Sequence, residues 1–346
     1  MSKKVIISLS VAGAIALLLL IIGNFYYQRA FKANIICDTK VGNFLYIKEG
    51  DNLDDVIAQL TAAKFLIDDD SFEWMAKYME YDARIIAGKY KIINGESNYH
   101  FIKRLRNGEQ APVNLTFINL RTINDLAHAV CRKIDVDSTQ LVTLLSNSQF
   151  LDTLGFNKAT VISMFIPNTY QFMWPTNAKK FLVRMKYEYT VFWDSSRLTK
   201  AKELNFTPLE AATLASIVDE ESNKNDEKPI IAGLYINRIQ QRIPLQADPT
   251  IKFALNDMAR KRILTADLAI NSPYNTYKIL GLPPGPIRIP SVQGIDAVLN
   301  YQRHNYIFMC AKEDFSGYHN FSRSLEQHNC NARKYQRALQ MMGVKH

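Results

Sequence analysis

Residues 207–222 read Thr207-Pro208-Leu209-Glu210-Ala211-Ala212-Thr213-Leu214-Ala215-Ser216-Ile217-Val218-Asp219-Glu220-Glu221-Ser222. The opening is a helix start: Thr207 at the cap, Pro208 in the first turn, and Glu210 three residues after the cap to close a capping box. Leu209 to Val218 is small and apolar, as suits a helix packed inside a core. It then runs into Asp219-Glu220-Glu221, the wrong charge for a helix C-terminus, where the macrodipole favours cations. Such breaches of local rules concentrate at functional sites.

A rotation of about 100° per residue separates the three acids. Glu221 falls in line with Leu214, between the directions of Ile217 and Val218, whereas Asp219 and Glu220 are expected to point away from that stripe. A carboxylate on the apolar side is partly desolvated, which raises its pKa and lets it donate a proton near neutral pH. The competing reading is a solvated, fraying helix end, with Glu221 paired to Lys224 or Lys228.

Downstream lie three turn-rich loops: Pro244-Leu245-Gln246-Ala247-Asp248-Pro249-Thr250, Ser272-Pro273-Tyr274-Asn275-Thr276-Tyr277, and Gly281-Leu282-Pro283-Pro284-Gly285-Pro286-Ile287. Loops of this kind line sites. Asp248 before Pro249 is read as a helix cap. Gln246, Asn275, Tyr274 and Tyr277 carry amides and phenols that suit sugar hydroxyls and N-acetyl groups; turn formation is the alternative, most of all for Asn275.

Upstream, Thr122 and Asp125 form a second capping box after a strand expected over 113–120. Residues 177–203 read as helix, with Tyr187, Tyr189, Phe192 and Trp193 as packing rather than a cofactor box. Between positions 44 and 108 the pattern gives a strand at Phe44–Ile47, a turn at Gly50-Asp51-Asn52, a helix with Leu53, Val56, Ile57 and Leu60 on one face, a second helix over 69–81, a strand over 88–92 and a helix over 99–105. That order resembles a LysM module, a small fold that grips N-acetylglucosamine; a structural spacer is the other reading.

At the N-terminus, Val5 to Gly23 is apolar and uncharged and long enough to cross a bilayer core. Lys3 and Lys4 precede it, and Phe25, Tyr26 and Tyr27 follow at interface depth, so the N-terminus is expected inside and the remainder outside the cytoplasm. A cleaved signal peptide would end on small residues, and bulky aromatics stand there instead. The chain has 346 residues, 47% hydrophobic and 22% charged, with net charge +9. No basic run with interleaved aromatics accompanies that charge, which argues against nucleic acid and for anionic lipid or wall polymer. Cys37, Cys131, Cys310 and Cys330 are too scattered for a disulfide scaffold, and no spacing marks a metal site or cofactor; His319, His328 and Cys330 could ligate, but surface or core roles are the favoured reading.

Taken together, Ala215 to Glu221-Ser222, Ala232-Gly233-x-Tyr235-Ile236-Asn237-Arg238, the Gln246 loop, Tyr274-Asn275-Thr276-Tyr277 and Gly281 to Ile287 resemble the MltG-type (YceG-like) endolytic murein transglycosylases. Phe165 to Tyr170 and Tyr318-His319-Asn320-Phe321 through His328-Asn329 extend the likeness. The resemblance implies an α+β chain in three parts: an anchor (1–30), a LysM-like subdomain (31–111) and a larger mixed α/β catalytic domain (112–346). It implies a lyase of the bacterial cytoplasmic membrane that cuts nascent peptidoglycan strands, terminates their elongation and works beside cell-wall synthases. Glu221 takes the place of the family's catalytic glutamate and Asp219 that of the preceding acid. Ser222, Gln246, Asn275, Tyr274 and Tyr277 are then expected at the substrate, with Asp219, Asn237, Asp248 and Thr250 in auxiliary or structural roles. The family pattern carries Glu-Gly at two places where this chain has Ile162-Ser163 and Asn119-Leu120, which leaves no auxiliary acid there. A non-catalytic wall tether is the rival from the binding class.

Overall fold

The computed structural model describes residues 3–37, 43–118 and 120–343; Asn119, one of the two departures from the family pattern, lies outside the described residues. The chain is a mixed α+β protein that divides into two compact units.

The first unit comprises residues 1–114 with the short segments 133–135 and 171–176. It begins with helix α1 (Lys3–Phe31). Among the described residues one helical stretch, Leu9–Phe31, is long and apolar enough to cross a membrane; its most apolar part is not buried, whereas Ala30 near its end enters the core. At 1.5 Å per residue it extends about 35 Å, the thickness of a hydrocarbon core and part of the headgroup layer.

Beyond it come β1 (Phe44–Ile47), α2 (Leu53–Ala62), α3 (Asp69–Tyr78), β2 (Gly88–Lys91) and α4 (Asn98–Asn107). The strands pair antiparallel, with Phe44 opposite Lys91 and Ile47 opposite Gly88. Helix α2 starts where Asn52 and Asp55 close a reciprocal capping box, and its Leu53, Val56 and Leu60 enter the core beside Phe72, Tyr90 and Phe101. Helix α3 stops at Tyr78, short of the expected 81, because the chain turns through a positive φ of 53° at Glu80 and drives Tyr81 inward. A buried polar clip ties α4 to the end of α1: Asn98 donates to the Arg29 carbonyl at 2.9 Å and accepts from Asn34 at 2.8 Å.

The second unit comprises residues 115–132, 136–170 and 177–346. Strand β3 is Val113–Phe117, shorter than the expected 113–120, and pairs with β4 (Asn168–Phe172). Helices α5 (Ile123–Cys131), α6 (Ser138–Ser146) and α7 (Ser148–Leu154) follow β3, and α5 opens on the expected box of Thr122 and Asp125. The helical stretch over 177–203 is two helices, α8 (Ala178–Phe192) and α9 (Ser195–Glu203), because Asp194 caps a fresh start by accepting from the Arg197 N–H. Tyr189 and Trp193 pack inside as expected, whereas Tyr187 is exposed.

The centre of this unit is α10 (Pro208–Glu221), packed against α11 (Lys228–Gln240), α12 (Asp248–Ala254) and α13 (Val292–Leu299). Every residue from Ala211 to Asp219 is buried. A helix covered all round has to be apolar all round, which explains its run of small aliphatic residues. The chain closes with the antiparallel hairpin β5 (Phe308–Ala311) and β6 (His319–Ser322), then α14 (Leu325–Met341).

Candidate active site

Helix α10 opens as the sequence dictates, with the Thr207 and Glu210 side chains each accepting from the other's backbone N–H. It delivers three carboxylates at its far end, and they meet three different surroundings. Asp219 is 5% exposed. It accepts from Lys228 Nζ at 2.7 Å, from the Ser291 N–H at 2.6 Å and from the Ser291 hydroxyl at 2.7 Å. Asp219, expected to point away from the apolar stripe, is itself buried, since the helix is covered on every side from Ala211 to Asp219. Helix α13 approaches so closely that a Cβ on Gly294 would stand 2.6 Å from the Asp219 carboxylate. Glu220 is bound by two arginines, Arg288 at 2.7 Å and Arg121 at 3.0 Å.

Glu221 has no cation within ion-pairing distance among the described residues. Its hydrogen bond comes from the Tyr235 hydroxyl, at 2.6 Å, across the gap between α10 and α11. The anticipated pairing of Glu221 with Lys224 or Lys228 does not form; Lys228 is spent on Asp219. Burial pushes the Glu221 carboxyl up to about 7, while the Tyr235 hydrogen bond and the charge of His319 act in the opposite direction. The ends of helix dipoles work the same way as burial, since the carboxylate sits at the negative pole of α10. Tyr235 is itself driven well above the ordinary phenol range by burial and by Glu221, so it stays a proton donor in the hydrogen bond.

The carboxyl faces a cavity of about 400 Å³ lined by Glu221, Tyr235, Arg238, Gln246, Asp248, Tyr277, His319 and His328, with Phe308 to Ala311 of β5 along one wall. Gln246 holds a positive φ of 53° and accepts from Arg238 at 2.5 Å. Arg238 also ties down the carbonyls of Pro244 and Ile307, so one guanidinium sets both the Gln246 loop and the start of β5. Asp248 accepts from the Tyr277 hydroxyl at 2.5 Å. It does not cap α12: Ala247 occupies the cap position with no side-chain bond, and Asp248 is the first helical residue with its carboxylate turned to the cavity.

Other expected site residues are placed as supports. Asn275 is fully buried and satisfied by its own loop, donating to the Leu268 and Ile270 carbonyls and accepting from the Tyr277 N–H, so direct contact with a sugar is excluded in this conformation. Ser222 is buried at the α10 terminus, its hydroxyl accepting from the Lys224 N–H. Tyr274 packs on Phe253 at 4.7 Å and stands outside the cavity lining. Thr250 bridges the Ala247 carbonyl and the Thr276 hydroxyl, joining two of the three loops. Asn237 donates to the His304 and Tyr306 carbonyls and straps the chain leading into β5 against α11. Gly233 lets that strap lie close, for a Cβ there would stand 2.4 Å from the Gln302 carbonyl oxygen.

Sequence reasoning passed over Tyr235, Arg238 and the pair of Glu227 with His319. Tyr235 and Arg238 lay inside a quoted motif, but nothing local shows that the tyrosine reaches back across a turn to Glu221. His319, which the sequence offers as a surface or core residue or a metal ligand and as part of the tail motif, meets Glu227 through its ring at 2.9 Å. His328 stacks on Phe308 at 5.4 Å, and Cys330 is exposed with a free thiol, as are the half-buried Cys37, Cys131 and Cys310. Among the described residues no group of three or more His, Cys, Asp or Glu side chains is arranged to hold a metal ion.

Comparison with known proteins gives a consistent relationship. The endolytic murein transglycosylase of Bacillus subtilis (strain 168) is 26% identical over 332 residues, which is 92% of this chain and 91% of that protein. The endolytic murein transglycosylase of Streptococcus pneumoniae R6 is 25% identical over 325 residues, 84% of this chain and 58% of that longer protein. In three dimensions, the crystal structure of a yceG-like protein from Listeria monocytogenes superposes with a TM-score of 0.56 at 23% identity, covering 83% of this chain and 98% of that one, and so shares the fold. Residues 45–334 match the YceG-like family profile from the first strand into the middle of α14, and on that span the chain belongs to the YceG-like family.

Proposed function

We propose that this protein is a membrane-anchored lytic transglycosylase that cleaves the bond between N-acetylmuramic acid and N-acetylglucosamine within peptidoglycan strands, with Glu221 as its acid/base. The observation that carries the proposal is the isolation of Glu221: two neighbouring acids are neutralised by cations, and the third faces a cavity with its carboxyl raised to about 7. The names of the relatives in Bacillus subtilis and Streptococcus pneumoniae support the same substrate class.

Hydrolysis by an ordinary glycosidase uses two carboxylates, one as acid and one as base or nucleophile. A lytic transglycosylase needs one. Protonated Glu221 gives its proton to the glycosidic oxygen as the bond to muramyl C1 breaks. The resulting carboxylate then takes the proton of the muramyl C6 hydroxyl as that oxygen bonds to C1. The products are a 1,6-anhydromuramyl end and a new N-acetylglucosamine end, with Glu221 protonated again. Tyr235 steadies the carboxylate between the two steps, while Gln246, Asp248 and Tyr277 offer the cavity's polar contacts to the sugars.

The helix Leu9–Phe31 supports a single-pass anchor with the remainder outside the cytoplasm, where the substrate lies. Cleavage close to the membrane would act on nascent strands beside the wall synthases and end their elongation. The β1-α2-α3-β2 order with its antiparallel strand pair supports a LysM-like glycan-binding role for the first unit.

The test is product analysis. Purified wild-type protein and Glu221→Gln are incubated with uncrosslinked glycan strands, and chain ends are identified by mass spectrometry. Wild type should give anhydromuramyl ends and the variant none. Reducing ends a water heavier would make the enzyme a hydrolase, equal product from both proteins would remove Glu221 from the mechanism, and no product from wild type would favour a non-catalytic wall tether.

A further inference from the structure

Glu227 is 3% exposed, and both of its carboxylate oxygens are committed to one residue. One accepts from the His319 backbone N–H at 2.7 Å, the other from the His319 ring Nδ1 at 2.9 Å. The arrangement joins the N-cap of α11 to the first residue of β6, and it fixes the imidazole by main chain and ring together. A ring nitrogen held against a buried carboxylate carries its proton there, so in the neutral imidazole the other nitrogen, Nε2, is left as an acceptor. His319 lines the same cavity as Glu221.

The reaction requires such an acceptor. At the outset Glu221 is protonated and engaged as donor to the glycosidic oxygen, with its Oε1 already taken by Tyr235. The hydroxyl that is to replace water as nucleophile has to be aligned before Glu221 becomes a base. We infer that His319, held in one tautomer by Glu227, is a positioning residue whose Nε2 accepts a hydrogen bond from that sugar hydroxyl and aims its oxygen at the anomeric carbon. The inference rests on the transglycosylase reading above. The imidazole does not change its protonation during turnover: the proton lost by Glu221 to the leaving oxygen is replaced by the one taken from the hydroxyl, so the cycle balances without His319.

The experiment measures kcat and KM against pH for full-length wild type, His319→Gln and Glu227→Gln in detergent, with uncrosslinked glycan strands as substrate and anhydromuramyl ends as readout. Wild type should lose activity on the alkaline side as Glu221 ionises. His319→Gln should lower kcat on the order of 10- to 100-fold with little change in KM, because the strand still binds but its hydroxyl is no longer aimed. Glu227→Gln, which no longer fixes the ring by its carboxylate, should lower kcat in the same direction by a smaller factor, again with KM little changed. A purely structural clip would lower thermal stability and leave kcat of the folded protein unchanged, and that result overturns the inference, as does a loss carried by KM instead of kcat. Should His319→Gln not fold, the kcat of Glu227→Gln decides alone. Absence of anhydromuramyl product from wild type is a separate outcome, since it defeats the enzymatic reading before His319 is reached.

Discussion

The carboxyl that would perform the chemistry should also weaken the fold, and the size of that effect follows from its surroundings. Burial raises Glu221 from an ordinary 4.5 to about 7. The folded protein therefore holds a proton on this group at pH values where the unfolded chain has already released it. Wherever the native state binds more protons than the unfolded state, stability falls as pH rises. The loss begins above the unfolded value of 4.5 and is complete once pH passes the folded value of about 7. With about 1.4 kcal/mol for each pH unit between the two values, the full penalty is on the order of 3 kcal/mol. Glu221→Gln removes the titration, keeps an oxygen to accept from Tyr235, and so should stabilise the protein at pH 8 by up to that amount. For a unit of this size the thermal midpoint should rise by roughly 5 to 10 °C. At pH 4.5 the two proteins should melt within a degree or two of each other (~0.5 kcal/mol). Melting of full-length protein in detergent, followed by tryptophan fluorescence from pH 4.5 to 8.5, gives the comparison. A variant less stable than wild type at pH 8, or a difference that ignores pH, would refute a desolvated Glu221.

Two further perturbations probe the same helix end. Tyr235→Phe removes the hydrogen bond that favours ionised Glu221, so the carboxyl should rise further above 7 and the alkaline limb of the activity profile should move to higher pH; a limb that stays in place or moves down would exclude the contact. Lys228→Met leaves Asp219 buried without its cation and should cost about 3 to 5 kcal/mol, a fall in melting temperature on the order of 10 °C, while the double variant with Asp219→Asn should recover part of it; an unchanged melting temperature in Lys228→Met would show that the pair is not buried as described.

Local signals in the sequence located most elements and missed most of what binds them together. The capping boxes at Asn52, Thr122 and Thr207 stand where composition placed helix starts, because a cap is made within four residues. The break at Asp194 was invisible, since residues 177–203 are helix-friendly throughout and only the turn of the chain between α8 and α9 demands a new cap. Asn275 illustrates the opposite error. Its type and its loop suggested a sugar contact, yet its amide closes the loop on itself, and nothing in the residue type distinguishes the two uses. Asp248 before Pro249 has the pattern of a cap, yet a partner 29 residues away, the Tyr277 hydroxyl, bonds its carboxylate at the cavity instead.

Glu221 differs from its two neighbours for a reason other than its position on the helix wheel. Periodicity separates faces only when a helix has a solvent side, and α10 is buried on every side from Ala211 to Asp219. What distinguishes the three acids is the supply of cations: Lys228, nine residues on, for Asp219, and Arg288, 68 residues on, together with Arg121 for Glu220. Three adjacent carboxylates at the negative end of a buried helix would repel one another and the dipole. Neutralising two of them removes most of that repulsion and leaves the remaining strain on one group. A single raised carboxyl beside a cavity is then a consequence of how α10 is packed, and the acid proposed for the chemistry is the one the rest of the fold leaves without a cation.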